Sequence, residues 1–437
     1  MQSQKQLIRQ LGFWDSVAIN IGIVIGVGIF RVPAEIAKYL HSPEWTLAAW
    51  ACGGLISLAG VLCYAEMSSL FPHTGGTYVF LREAYGRPVS FLFGWMEFGV
   101  LRAGSMAGVA YVFSAYFRNV FGWSAGSEKM IAVAAILFFT LLNICGLRYG
   151  TRVQNVLSTL KVVTLLGISF TIFYSHSEPQ NILIPLKAHA APGWIFFSAL
   201  IPVLWGYGGW NESTFMSGEF KDTRRALPLS LITSISIITG LYLLINVAYL
   251  KFMAPEAIRH SPSIASDIFY QLFGNGGRVL ITAAVLVSAS GALNSNILTG
   301  ARIPFAVAQD SAPLSWLGAV HARFGTPYAA LAANGGWAIF LVLWGNFEDL
   351  LFFTGFAKWF FFTLAGVSVF ILRKKHPPHS ERFQLPGYPW VPLFFSGVAG
   401  VLCLTTILSE PRAALFGAFI LLLGLPVYGL LHRARRV

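Results

Sequence analysis

Charge is what this sequence has least of. Asp, Glu, Lys and Arg together make up 11% of its 437 residues, against about 25% in an ordinary soluble domain. So little charge cannot cover the surface of a water-soluble protein of this length. Acids are scarcer than bases, 18 against 30, and the net charge is +12. A basic balance can mark a nucleic-acid binder, but there is no Cys/His finger or basic helix, and the basic residues sit in short loops between long apolar runs. Cysteine is scarce too. Cys52, Cys63, Cys145 and Cys403 are scattered through apolar runs. Four in a chain this long do not make a disulfide framework; they read as small core residues. Neither H-E-x-x-H nor a phosphate-binding G-x-x-x-x-G-K-[ST] is present, and the carboxylates within apolar runs are not clustered as a catalytic dyad would be, so an enzyme is not expected. His376-Pro377-Pro378-His379 has no cysteine or acid near it beyond Glu381 and reads as loop rather than metal tract, so no metal or cofactor is expected.

What is present is apolar: 56% of residues, not counting 43 glycines. That excludes disorder and leaves an integral membrane protein. About 20 apolar residues span about 30 Å of hydrocarbon as a helix. Twelve such segments are expected, at 14–38, 46–70, 88–117, 129–147, 154–175, 193–217, 228–252, 276–301, 327–345, 349–373, 389–409 and 412–432. Strand periodicity is weak throughout, so the expected class is an all-α membrane protein rather than a barrel. The first segment is longer than the 7–15-residue core of a signal peptide and carries Asp15, so it is expected to be retained.

Orientation follows the basic residues. The even-numbered loops and the termini hold Lys5, Arg9, Arg82, Arg148, Arg152, Arg224, Arg225, Arg302, Arg373, Lys374, Arg433 and Arg435, among others. The opposite loops hold Lys187 and Arg259. A multi-pass protein of the cell membrane with both termini cytoplasmic is expected.

Two glycine-rich interruptions stand out. The first segment carries Gly26-Val27-Gly28, and the sixth carries Gly206-Tyr207-Gly208-Gly209-Trp210-Asn211. Glycine permits non-helical backbone, and such backbone survives at membrane depth only where it lines a cavity or is buried in protein. A lone glycine pair is commonly a packing device. Two interruptions five spans apart point instead to an inverted repeat, because the second copy enters the membrane from the other side. Repeat one would cover 12–175, repeat two 192–373, and helices eleven and twelve 389–432, all in one transmembrane domain.

Breaking a helix frees N–H groups on one side and C=O groups on the other, with partial positive and negative charge respectively. A zwitterion with both charges on one carbon matches such a pair. The N–H groups of Val27 and Gly28 are candidates for a carboxylate. The C=O groups near Val24, Ile25, Trp205 and Gly208 are candidates for an ammonium. That chemistry suits an α-amino acid.

At these residues the chain resembles a known family. Gly22–Pro33 (GIVIGVGIFRVP) resembles the first helix of amino-acid–polyamine–organocation transporters. Tyr207–Pro228 (YGGWNESTFMSGEFKDTRRALP), Tyr64–Gly86 (YAEMSSLFPHTGGTYVFLREAYG), Trp95–Ser105 (WMEFGVLRAGS) and Phe370–Lys374 (FILRK) resemble the L-type amino-acid transporter branch. The resemblance implies a LeuT-like five-plus-five fold with broken helices 1 and 6, sodium-independent movement of L-amino acids, and often obligatory exchange, similar to bacterial serine/threonine exchangers. Animal members pair with a glycoprotein heavy chain through a cysteine in the loop after the third helix. That loop, Arg118–Lys129, has none here, so no heavy-chain partner is expected.

Ionisable residues inside a membrane are functional by default. The resemblance places Lys161 at a fifth-helix lysine whose ammonium takes the place of a sodium ion, touching carbonyls of the first and eighth helices; the alternative is a lysine snorkelling to the cytoplasmic face. Proton coupling through Lys161 would make the protein a symporter of amino acids or polyamines instead. Glu97 and Arg102 lie five apart, so each is expected to pair with another helix. Glu66 reads as structural. Glu212 and Lys358 depart from the family pattern. Either they form an ion pair across the pocket, favouring small or polar neutral substrates, or both point away. Val27 stands where relatives often carry a small hydroxyl residue. Trp205 is either a gate over the substrate or a packed aromatic. The binding set expected is therefore Val24, Ile25, Gly26, Val27, Gly28, Trp205, Gly206, Gly208, Asn211, Glu212 and Lys358, with Lys161 as the coupling residue.

Overall fold

The computed structural model describes residues 7–175, 193–345 and 347–433. Lys5, Lys187, Arg435 and the start of the second expected repeat at 192 lie outside the described residues. Those described are helical, with no strand; the single extended contact is a parallel bridge between Leu11 and Phe220. Eight helices are long and apolar enough to cross a membrane: Pro43–Leu70, Arg87–Phe121, Leu147–Tyr174, Ala226–Phe252, Ile264–Asp310 (a kinked run), Gly355–Lys375, Trp390–Ser409 and Pro411–Leu431. Phe13–Val24, Gly193–Gly206 and Tyr328–Trp344 are apolar but shorter, and Glu128–Ile144 adds a further 17-residue helix.

Local chemistry sets the ends. Ser42 accepts from the Trp45 N–H at 3.3 Å, and Pro43 opens the helix that follows, where its missing N–H costs nothing. Gly122, at φ +66°, closes Arg87–Phe121 in the left-handed conformation that glycine adopts without strain.

The expected segments and the helices agree to within a few residues at most ends, with three differences. The eighth helix begins at Ile264, not 276, and bends at Gly274; its first turns are polar enough to escape a search for apolar runs. The fifth begins at Leu147 rather than 154. Thr77–Tyr85 and Arg302–Asp310 form additional short helices too polar to read as spans.

The helix Phe13–Val24 lies at the centre, packed against Ala226–Phe252, Leu147–Tyr174 and Ile264–Gly300. Near the N terminus the bundle is stitched together. Gln10 and Leu11 donate backbone N–H groups to the Glu219 carbonyl, and Lys221 donates back to that of Leu11. Arg302 grips the Glu219 carboxylate with two bonds, at 2.8 and 2.7 Å, and both side chains are 1% exposed. Arg82 meets Asp310 at 3.1 Å, and Arg373 meets Glu66 at 2.6 Å.

Candidate functional site

Both glycine-rich stretches leave the helix. The first helix ends at Val24; Ile25 and Gly26 are non-helical, and a 3-10 turn, Val27–Phe30, follows. The sixth ends at Gly206, passes through Tyr207–Asn211, and resumes as a 3-10 helix, Glu212–Glu219. The breaks pack on one another. Gly209 sits at φ +105°, and a Cβ there would lie 2.5 Å from Ile23 Cγ2. Asn20 holds the two together from one side: its amide donates to Ser213 Oγ at 3.1 Å and to Ser234 Oγ at 3.2 Å, and its oxygen accepts from the Ser213 N–H at 3.0 Å.

A cavity of about 490 Å³ opens between the breaks. Of the expected binding set, Val24, Gly26, Val27, Gly28, Trp205, Gly206, Gly208, Asn211, Glu212 and Lys358 line it. Ile25 does not; its side chain is buried at 1% exposure and its carbonyl accepts from Ser288 Oγ at 3.0 Å. As the first residues of a 3-10 turn, Val27 and Gly28 have N–H groups without an intrahelical acceptor. The expected ammonium acceptors already have donors: Tyr242 Oη lies 2.8 Å from the Val24 carbonyl oxygen, and the Gly208 N–H donates to that of Trp205 at 3.0 Å. Each oxygen keeps a second lone pair. Trp205 is 64% exposed, with its ring over Gly28, where a Cβ would meet it at 3.2 Å. It is not an aromatic packed in the bundle.

The charged residues differ most from expectation. Glu97 and Arg102 were expected to face different neighbours, yet Arg102 Nη2 donates to Glu97 Oε1 at 2.7 Å. The reason is a π-helical turn over Glu97–Arg102: with i→i+5 hydrogen bonds, residues five apart come onto one face. Arg102 also takes both oxygens of Glu212, at 2.9 and 3.0 Å, and donates to Asn296 Oδ1 at 3.2 Å. Thr299 donates to Glu212 as well. The expected Glu212–Lys358 ion pair is therefore absent. Glu212 is saturated by Arg102, whose planar fork suits a carboxylate better than an ammonium does. Lys358 lines the cavity with no hydrogen bond or ion pair among the described residues, its Nζ 5.9 Å from the Phe362 ring centre.

Lys161 lies outside the cavity lining. It is 2% exposed, and its Nζ donates to the Gly22 carbonyl; no carbonyl of the eighth helix receives it, although a Cβ at Gly291 would stand 2.9 Å away. It is buried against the first helix rather than snorkelling to a face. Glu66 is tied to Arg373 away from the cavity.

Tyr242 was not expected. Its hydroxyl reaches the Val24 carbonyl oxygen and, at 3.1 Å, that of Gly206, so one side chain serves the ends of both interrupted helices. Nothing marks it among 15 tyrosines. Asn296 and Thr299 did carry a signal, a run of polar residues, Asn294–Asn296 and Thr299, inside an apolar helix. The string Gly122-Trp123-Ser124-Ala125-Gly126 fits G-x-S-x-G, but it joins two helices, not the strand and helix of a nucleophile elbow.

A broken-helix pair around a closed polar cavity in an apolar bundle is the architecture of a membrane permease. A profile of the amino acid permease family matches residues 11–427, and the chain belongs to that family, within the amino-acid–polyamine–organocation superfamily. It is 30% identical to the serine/threonine exchanger SteT of Bacillus subtilis, over 97% of this chain and 96% of that one. It is 28% identical to the human b(0,+)-type amino acid transporter 1, over 94% and 86%. With the human Asc-type amino acid transporter 1 it shares 26% identity, over 97% and 82%.

Proposed function

We propose that the protein is a sodium-independent exchanger of L-amino acids, small or polar ones in particular, working by alternating access in a cell membrane. The observation that carries this is the convergence of both helix breaks on one cavity. The substrate carboxylate would meet the N–H groups of Val27 and Gly28. Its ammonium would meet the carbonyls that end the two interrupted helices. The name of the SteT relative supports both exchange and small hydroxylated substrates. Sodium independence is supported by Lys161, whose ammonium already occupies the carbonyl of Gly22.

In this reading the chain spans the membrane twelve times as two inverted five-helix repeats, 12–175 and 192–373, with two helices appended at 389–432. Both termini are cytoplasmic, as the basic loops favour, and neither a cofactor nor a heavy-chain partner is needed. The cytoplasmic side is closed by Glu219–Arg302 and by the Leu11–Phe220 contact. The exposed ring of Trp205 marks the opposite, open side. A second reading, proton-coupled symport, is favoured by one feature: Lys161 is buried with a single carbonyl partner and no acid. Desolvation of that kind makes an ammonium easier to deprotonate.

The test is uptake of labelled L-serine by purified protein in liposomes, in sodium-free buffer. The vesicles are preloaded with unlabelled amino acid or left empty, with and without a pH gradient. Exchange requires uptake into loaded vesicles alone. Proton-driven uptake into empty vesicles would replace exchange with symport. Silence under every condition would reject the substrate class.

A further inference from the structure

Four charged side chains line the cavity: Glu97, Arg102, Glu212 and Lys358. Three of them satisfy each other. Arg102 spans both carboxylates, and Glu212 also accepts from Thr299. The lone pairs of the two acids are thus directed at Arg102 and Thr299, not at Lys358. Its ammonium donates to no acceptor among the described residues, and its aromatic neighbour, at 5.9 Å, stands at the outer limit of a cation–π contact. An ammonium withdrawn from bulk water without a partner is unfavourable. A bound anion removes that penalty.

Its position says which anion. A Cβ on Gly208 would lie 2.8 Å from Lys358 Nζ, so the ammonium stands against the second break itself. Gly28, in the first break, lies against Trp205, three residues earlier on the same stretch. The cation and the free N–H groups therefore border one turn of chain. A ligand whose carboxylate sits at the first break has room to carry a second one, on a short stem, to Lys358.

We propose that Lys358 receives an anionic substrate side chain, so that this cavity selects amino acids with a second carboxylate. This rests on the cavity being an amino-acid site, and it narrows the polar class proposed above to its acidic members.

The experiment uses the full chain in liposomes preloaded with unlabelled L-serine. It compares uptake of labelled L-aspartate, L-glutamate and L-serine by the wild type, K358N and K358R. We expect the wild type to take up at least one acid. In K358N the ratio of acidic to serine uptake should fall by about tenfold or more, the equivalent of about 1.4 kcal/mol; K358R should retain most of it. Serine uptake by the wild type with no uptake of either acid overturns the proposal. So does an unchanged ratio in K358N, which would assign Lys358 to the common carboxylate. Silence of the wild type toward all three overturns the amino-acid reading itself. Thermal unfolding guards against an inactive variant: L-aspartate should raise the melting temperature of the wild type and not of K358N. Equal shifts in both would overturn the assignment.

Discussion

The two helix breaks border one cavity but are held open by different means. The first is short. Gly26 leaves the helix at φ −94°, a value open to any residue, and a Cβ there would meet nothing nearer than the Ile23 carbonyl oxygen, at 3.7 Å. The second runs through Tyr207–Asn211 and turns on Gly209, at φ +105°, pressed onto Ile23. Glycine in the second break sets the backbone path. In the first, it leaves space for what enters: Gly28 gives Trp205 its resting place, and Gly26 leaves the cavity wall bare. A shared glycine signature thus covers two structural jobs.

Substitutions break or sharpen that contrast. The largest effect is expected for Gly209→Ala. The positive φ costs about 1–2 kcal/mol and the overlap with Ile23 about 1–3 kcal/mol more. A loss of about 3 kcal/mol should appear as a melting temperature several degrees lower in detergent; a variant melting like the wild type would remove the distinction. Next is Tyr242→Phe, which deletes the hydroxyl shared between the Val24 and Gly206 carbonyls. Leaving buried acceptors short of a donor costs about 1–3 kcal/mol. Because both breaks lose support, this loss should grow when Tyr242→Phe is combined with Gly209→Ala, beyond the sum of the two. Strict additivity would mean that the breaks are independent. The smallest effect is expected for Gly26→Ala, within about 1 kcal/mol of zero, read by the same melting curve. A loss matching that of Gly209→Ala would show both glycines to be conformational.

The breaks were legible in the sequence because glycine clusters are rare inside apolar runs and have few physical explanations there. The spans were legible because hydrocarbon thickness demands length and apolarity together. Charge pairing was not. Glu212 meets Arg102 across 110 residues, and no local spacing announces a partner so distant. The Glu97–Arg102 contact is local, but it depends on a π turn that no residue type demands; an ordinary α-helix puts residues five apart on different faces. Lys358 was noticed for its charge and assigned the wrong partner, because its apparent mate was already taken. Tyr242 shows the same limit for a neutral group. A tyrosine in an apolar helix looks like packing until the carbonyls beside it are known.

That π turn has one more consequence. It accommodates an extra residue in the third helix, and each residue of an α-helix turns the next by about 100°. Everything after Arg102 on that helix is therefore rotated by about that angle relative to an uninterrupted run. Ser105, Gly108, Val109 and Val112, all beyond the turn, line the cavity. The turn works as a spacer between two rotational settings of one rod. On one side of it the helix is oriented for the packing of Tyr78 and Val307 around Gly94; on the other it is oriented for the cavity. A single inserted position lets one helix serve two surfaces that an unbroken spiral would hold out of phase.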